Sequence, residues 1–269
     1  NRSLLDAKAE GGLVKVVYSL LDAVKIANSN PNREFVFFAI GFETTAPTTA
    51  DVVLKGLPDN LSLLVAHRLI PPVMEFLLGV GDIYIDGFMA PGHVATIIGA
   101  RAFQLFPEAY GMPVVIAGFE PLDVLLAIYM LMRQVKEKAP RVENEYTRSV
   151  SWEGNLKAQE LMDKAFDTVG GAWRGLGTIP KSALALKKAF SDHDAREVYG
   201  LDVRGSRDVH PGCSCHLIMM GKARPVDCRL YGRACTPRRP MGPCMVSREG
   251  PCYIWFTHGL GLGSPGGSA

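Results

Sequence analysis

Short apolar runs alternate with helix-patterned segments through about residue 140, and few architectures accept that order. Leu13–Tyr18, Glu34–Ile40, Leu61–Ala66, Tyr84–Met89 and Pro113–Ala117 each read as a strand. Between and after them, Ser19–Asn28, Thr48–Lys55, Pro72–Leu78, His93–Phe106 and Leu122–Lys138 read as helices. The strands are nearly continuous in apolar character. That suits strands covered on both faces, not strands with one wet side. The expected fold is therefore α/β, an open parallel sheet with helices on both faces.

After Pro140 the pattern changes. Asn155–Val169 reads as a helix, and Trp173–Ile179 with the stretch to Tyr199 as an irregular strand or two. Gly200–Pro211 reads as a linker, and the Gly/Ser-rich Gly259–Ala269 as a flexible tail. The expected division is an α/β domain over residues 1–200, a cysteine-rich module over 201–258 and a tail over 259–269. There is no solenoid repeat, only a small echo: Gly41-Phe42-Glu43 and Gly118-Phe119-Glu120 both follow a strand.

The cysteines sharpen this division. The first 212 residues contain none, and all six lie between Cys213 and Cys252. Residues 201–252 carry nine Lys/Arg against four Asp/Glu, a balance of +5, while the whole chain is only +2. Nothing in so small a net charge calls for nucleic acid. Thiolates that need compensation explain the local excess better. Lys222, Arg224, Arg229, Arg233, Arg238 and Arg239 stand in that stretch. No apolar run reaches eighteen residues and no basic-then-apolar segment opens the chain, so neither a membrane span nor a signal peptide is expected. One four-cysteine subset is Cys213-x14-Cys228-x6-Cys235-x16-Cys252, which leaves Cys215 and Cys244 as a possible pair. Chemistry leaves an iron–sulfur cluster, a zinc site and free or disulfide cysteine open. Zinc modules favour tight knuckles of two cysteines separated by two to four residues, and none occurs here. A secreted disulfide scaffold does not suit a long cysteine-free body.

Three strand-to-helix junctions also stand out: Gly41–Thr49, Met89–Gly99 and Ala117–Asp123. Ligands of open α/β sheets gather at such strand ends, where helix N-termini present free N–H groups. Glu43, His93 and Glu120 place ionisable groups there, and Thr44, Thr45, Thr48 and Thr49 supply hydroxyls. Ordinary capping and turn chemistry accounts for the same residues. Neither a Walker loop nor a dinucleotide fingerprint is present.

Eight segments are distinctive as an ordered set. The first five are SLLDAKAEGG (3–12), FFAIGFETTAPTTA (37–50), APGHVATIIG (90–99), VIAGFEPLDVLLAI (115–128) and VENEY (142–146). EGNLKAQELMDKAF (153–166), WRGLGTIP (173–180) and CRLYGRACTPRRPMGPCMVSREGPC (228–252) extend the set nearly end to end. Taken together, these segments resemble the HypD hydrogenase maturation family. The resemblance implies a cytoplasmic scaffold for assembly of the Fe(CN)2CO unit of [NiFe] hydrogenases. Its partners would be a HypC-like chaperone and a HypE-like cyanide donor. It also implies a [4Fe-4S] cluster on Cys213, Cys228, Cys235 and Cys252, with Cys215 and Cys244 as a neighbouring redox-active pair. In that reading the protein is a metallocofactor assembly factor in preference to a turnover enzyme.

The departures from the family are as informative. The family's Cys-Gly-Gly-His-Thr-His and Gly-Pro-Gly-Cys-Pro-x-Cys motifs, which serve the iron unit and HypC, do not occur in these 269 residues. The expectation is thus an N-terminally truncated relative, with transient Fe(CN)2CO binding in doubt. Two alternatives stand beside it. One is a truncated homologue that assembles nothing. The other is an α/β enzyme with a structural four-cysteine zinc site and a phosphate-bearing ligand at Thr44–Thr49.

Overall fold

The computed structural model describes residues 3–81, 83–201 and 209–259. Helices α1 (Leu4–Ala9) and α2 (Leu20–Asn28) precede β1 (Phe35–Gly41), α3 (Ala46–Lys55), β2 (Leu61–His67) and α4 (Ile70–Gly79). Then follow β3 (Phe88–Pro91), α5 (Gly92–Ile98), α6 (Leu105–Tyr110), β4 (Val114–Ala117), α7 (Pro121–Glu137) and β5 (Val142–Asn144). Helix α8 (Leu156–Ala165) leads into β6 (Phe166–Trp173) and β7 (Gly177–Leu186), and α9 (Ala195–Tyr199) closes the body. The cysteine-rich region holds α10 (Cys215–Met219), α11 (Pro243–Val246) and α12 (Pro251–Thr257).

The α/β class holds, with parallel strands and helices, but the single open sheet does not. Among the described residues the strands form three separate sheets: parallel β1-β2, parallel β3-β4-β5, and the antiparallel hairpin β6-β7. The edge of β2 away from β1 is occupied by residues 193–196 instead of a further strand. His193 Nδ1 lies 2.9 Å from the Leu61 carbonyl, and the Arg196 guanidinium donates to the Val65 carbonyl at 3.0 Å. These side chains satisfy backbone groups that a neighbouring strand would otherwise take.

Helices cover both faces only in the three-stranded sheet. Val114 and Ile116 face Phe103 and Phe106 on one side, and Val115 and Ala117 face Ala127 of α7 on the other. In the two-stranded sheet, Ala39, Leu61, Leu63 and Val65 point into a core shared with α2, α3, α8 and the hairpin. Val36, Phe38 and Ile40 alternate to the opposite side and are exposed.

Several expected elements move. Leu13–Tyr18 is not a strand, and Leu13, Val16 and Tyr18 are exposed. Its apolar pattern finds no neighbouring strand to complete a ladder. The expected strand Tyr84–Met89 begins only at Phe88, because the Tyr84 N–H bonds the Met220 carbonyl at 3.0 Å, tying this segment to the cysteine-rich region. The expected helix His93–Phe106 breaks at Gly99, whose φ of 82° disfavours any side chain. There the chain packs on the backbone of Trp152–Gly154 and restarts as a short 3-10 turn over Ala100–Phe103. The helix expected over Asn155–Val169 stops at Ala165, since Phe166 enters the core and starts the hairpin. Strand β5 has no counterpart among the expected strands. Most of the linker Gly200–Pro211 and all but the first residue of the tail Gly259–Ala269 lie outside the described residues. Among the described residues no helix is long and apolar enough to cross a membrane.

Candidate functional site

The cysteine-rich region is built from turns. Proline opens the 3-10 turn Pro225–Asp227 and helices α11 and α12, where its missing N–H costs nothing. Asp227 pairs with Arg224 at 3.2 Å and fixes the turn that delivers Cys228. The Tyr231 N–H bonds the Cys228 carbonyl at 3.0 Å, and the Cys235 N–H bonds the Leu230 carbonyl at 2.8 Å. These two bonds fold Cys228 and Cys235 toward each other. Helix α10 carries Cys215, α11 Cys244 and α12 Cys252.

All six cysteines are buried and free, in one apolar cluster with Ile218, Tyr231 and Met245. Cys213 Sγ lies 3.1 Å from Cys215 Sγ. Cys215 also shares a side-chain hydrogen bond with Cys244, and Cys244 shares one with Cys252. This chain of sulfurs crosses the expected division into four ligands and one pair. The Met241 N–H donates to Cys235 Sγ at 3.3 Å. Gly242 is required beside them. A Cβ there would stand 2.4 Å from Cys213 Sγ and 2.6 Å from Cys215 Sγ, so the backbone itself forms the wall. Among the described residues no three His, Cys, Asp or Glu side chains are already gathered around one point as ligands of a single ion.

The sulfurs are electrostatically unequal. Hydrogen bonding from Cys244 pulls the Cys215 thiol down to about 6, so it is the natural thiolate of the group. Burial pushes the Cys213 thiol up to about 12, and burial also raises Cys235. Hydrogen bonding with Cys215 and with Cys252, which share its single S–H, raises Cys244, and the contact with Cys244 lowers Cys252. Arg229, Arg233, Arg238 and Arg239 are exposed around this buried set.

The strand-end residues do not form one site. Glu43 follows β1 and is buried; its Oε1 accepts the Ile70 N–H at 2.7 Å, which caps α4 from a distance. Burial raises its carboxyl to about 7. It lines a cleft of about 260 Å³ with Leu69, Ile98, Met162 and Phe166. Thr44 and Thr45 are exposed, and the Thr45 hydroxyl donates back to the Phe42 carbonyl at 3.2 Å instead of capping α3. His93 and Glu120 belong to the other parallel sheet. His93 stacks on exposed Phe119 with ring centroids 4.2 Å apart, and the exposed Glu120 lies 3.8 Å from Arg148. Arg148 chiefly holds buried Asp123, at 2.5 Å.

A lone histidine after a strand carries little signal in a sequence, and His67 is such a residue. It is buried, with Nε2 3.2 Å from Thr49 Oγ1. Burial lowers it to about 4, so it stays neutral near pH 7. Sequence reasoning also gives no place to Gly242 and Tyr231. Their spacing from the cysteines is the only available signal.

A family model described as "HypD: Hydrogenase formation hypA family" matches residues 1–259. The chain is 48% identical over 268 residues to hydrogenase maturation factor HypD2 of Bradyrhizobium diazoefficiens, covering 96% of this chain and 70% of that protein. It is 45% identical over 267 residues to hydrogenase maturation factor HypD of Azotobacter vinelandii, with the same coverage of 96% and 70%. It is 39% identical over 264 residues to HypD of Rhodobacter capsulatus, covering 96% of this chain and 70% of the relative. A match that runs through both parallel sheets and through all six cysteines leaves one assignment: the chain belongs to the HypD family of hydrogenase maturation factors.

Proposed function

We propose that this protein serves the assembly of the Fe(CN)2CO unit of [NiFe] hydrogenases in the cytoplasm, as a scaffold that carries a [4Fe-4S] cluster. The observation that carries the reading is the buried gathering of six free thiols in a chain of this family. The donor set fits such a cluster. It is all sulfur, it is screened from water, a backbone N–H already points at one sulfur, and a glycine wall leaves no side chain in the way.

Cys213, Cys228, Cys235 and Cys252 would hold the cluster, which supplies one-electron transfer when bound. Cys215 and Cys244 form the adjacent redox pair. The low-pKa Cys215 is the thiolate and Cys244 the hydrogen-bonded thiol. By exchange with an external disulfide the pair would close to a disulfide, the external sulfurs leaving as one thiol, which takes the remaining proton, and one thiolate, and the reverse exchange would reopen it. A HypC-like chaperone and a HypE-like cyanide donor are the proposed partners. The exposed Phe119–His93 stack and Glu120 are the strand-end surface offered to them. Fe(CN)2CO itself is cargo, and its chemistry lies with cysteine and histidine motifs that are not among these 269 residues.

Anaerobic purification tests the cluster. Brown protein with about four iron and four sulfide per chain supports it. Colourless protein with one zinc ion contradicts it. Co-purification with a HypC-like chaperone tests the assembly role separately.

A further inference from the structure

Tyr231 forms part of the buried wall of the cysteine module, and its hydroxyl makes no hydrogen bond to any protein atom. The residue is only 6% exposed, so bulk water does not satisfy the hydroxyl either. Its position is fixed. The ring meets Phe256 edge-on at 6.3 Å between centroids, and its backbone pairs with both Cys228 and Cys235. Swinging the phenol outward would break its packing on Phe256. A buried hydroxyl loses its hydration and regains nothing until an acceptor reaches it.

The buried cluster that Tyr231 belongs to is built mainly of cysteines. Cys228 and Cys235 flank Tyr231 in sequence and in space, and Cys252 lies in the same buried cluster. None of these sulfurs bonds the hydroxyl directly. The missing acceptor is thus one that arrives with what the cysteines bind.

We infer that the Tyr231 hydroxyl donates a hydrogen bond to a sulfide of the bound iron–sulfur cluster, and so raises the cluster's reduction potential. Tyr231 is then a positioning residue for the redox function. The inference rests on the cluster reading above. Its physical basis is that reduction adds negative charge to the sulfurs, so a donor aimed at them stabilises the reduced state more than the oxidised one.

The test uses the full chain, loaded anaerobically, as wild type and as Tyr231→Phe. Iron and sulfide are counted first, then the midpoint potential is measured by dye-mediated titration followed by electron paramagnetic resonance. Equal iron content and a lower potential in the variant are expected. The ratio of reduced to oxidised cluster at a fixed potential should fall about tenfold, which for one electron is about 59 mV. Equal potentials at equal iron content overturn the role of Tyr231 while leaving the cluster reading intact. Wild-type protein that takes up no iron overturns the cluster reading, and this inference with it. If Tyr231→Phe alone fails to load, 3-fluorotyrosine at position 231 decides the matter. Its more acidic phenol keeps the ring packing and should raise the potential, and an unchanged potential overturns the inference.

Discussion

The body and the cysteine module solve the same problem with different means. The body buries Leu, Val, Ala and Phe from strands and helices, so its core is complete without any bound group. Among the described residues the module has only short helices and isolated bridges, and six of the nine buried residues in its cluster are cysteines. Only Ile218, Tyr231 and Met245 join the thiols in its buried centre, with residues such as Leu230, Trp255 and Phe256 partly buried around it, so fewer fully buried apolar side chains offset chain entropy than in the body. If the proposed cluster is bound, the two parts draw their stability from different sources: side-chain packing for the body, and the sulfur-held cluster for the module.

The sharpest way to break the comparison is Cys228→Ala. It should abolish the bound iron and, in hydrogen exchange, remove amide protection across Tyr231–Cys252 while β1 and β2 keep theirs. Protection lost equally in both regions would show that the two are one cooperative unit. The reverse experiment is Phe103→Ala. Phe103 is fully buried among Phe106, Val114 and Ile116, so its truncation should cost the body about 3–5 kcal/mol in urea unfolding with iron content per folded chain unchanged.

Glu43→Gln probes a polar group inside the apolar body. Burial raises the wild-type carboxyl from 4.5 to about 7, so the folded state binds its proton more tightly than the unfolded chain. The associated stability is present below pH 4.5 and is lost as pH rises through about 7, a change of about 3 kcal/mol. The glutamine variant can still accept the Ile70 N–H and should lack that slope in stability measured from pH 4.5 to 7. The smallest effect is expected from Asn60→Ala. The Asn60 amide donates to the carbonyls of Ala27, Asn30 and Arg33, at 3.1, 3.1 and 2.8 Å, and ties α2 to the start of β2. Its loss should cost about 1–2 kcal/mol in the same unfolding measurement, again without touching iron.

The two regions are also unequally legible in the sequence. Strands β1 and β4 announce themselves as unbroken apolar runs and β2 as a run interrupted only by Ser62 before it ends at His67, and β2 and β4 are buried almost throughout. Strand β5 is only three residues long and leaves no periodic trace. The helix pattern running into Phe166–Val169 says nothing of the hairpin partner Ala183–Leu186, and that long-range pairing is what ends the helix. The separation into three sheets is illegible because it depends on which strands meet, not on what each strand contains. At the site, residue type exposes the cysteines at once. The Gly242 wall, the Tyr231 hydroxyl and the His67–Thr49 contact depend on burial and direction, which a linear pattern does not carry. That Glu43 falls on one parallel sheet and His93 and Glu120 on another is equally absent from the linear pattern, since similar strand ends look alike in sequence.

The central claim is that four of six adjacent thiols hold a [4Fe-4S] cluster and two do not. Iron and sulfide counted in the wild type and in each of the six single cysteine-to-alanine variants, all purified anaerobically, test it most directly. About four iron per chain is expected in the wild type, Cys215→Ala and Cys244→Ala, and none in Cys213→Ala, Cys228→Ala, Cys235→Ala and Cys252→Ala. Stoichiometric zinc in the wild type, or a cluster that survives Cys213→Ala but vanishes with Cys215→Ala or Cys244→Ala, would contradict it.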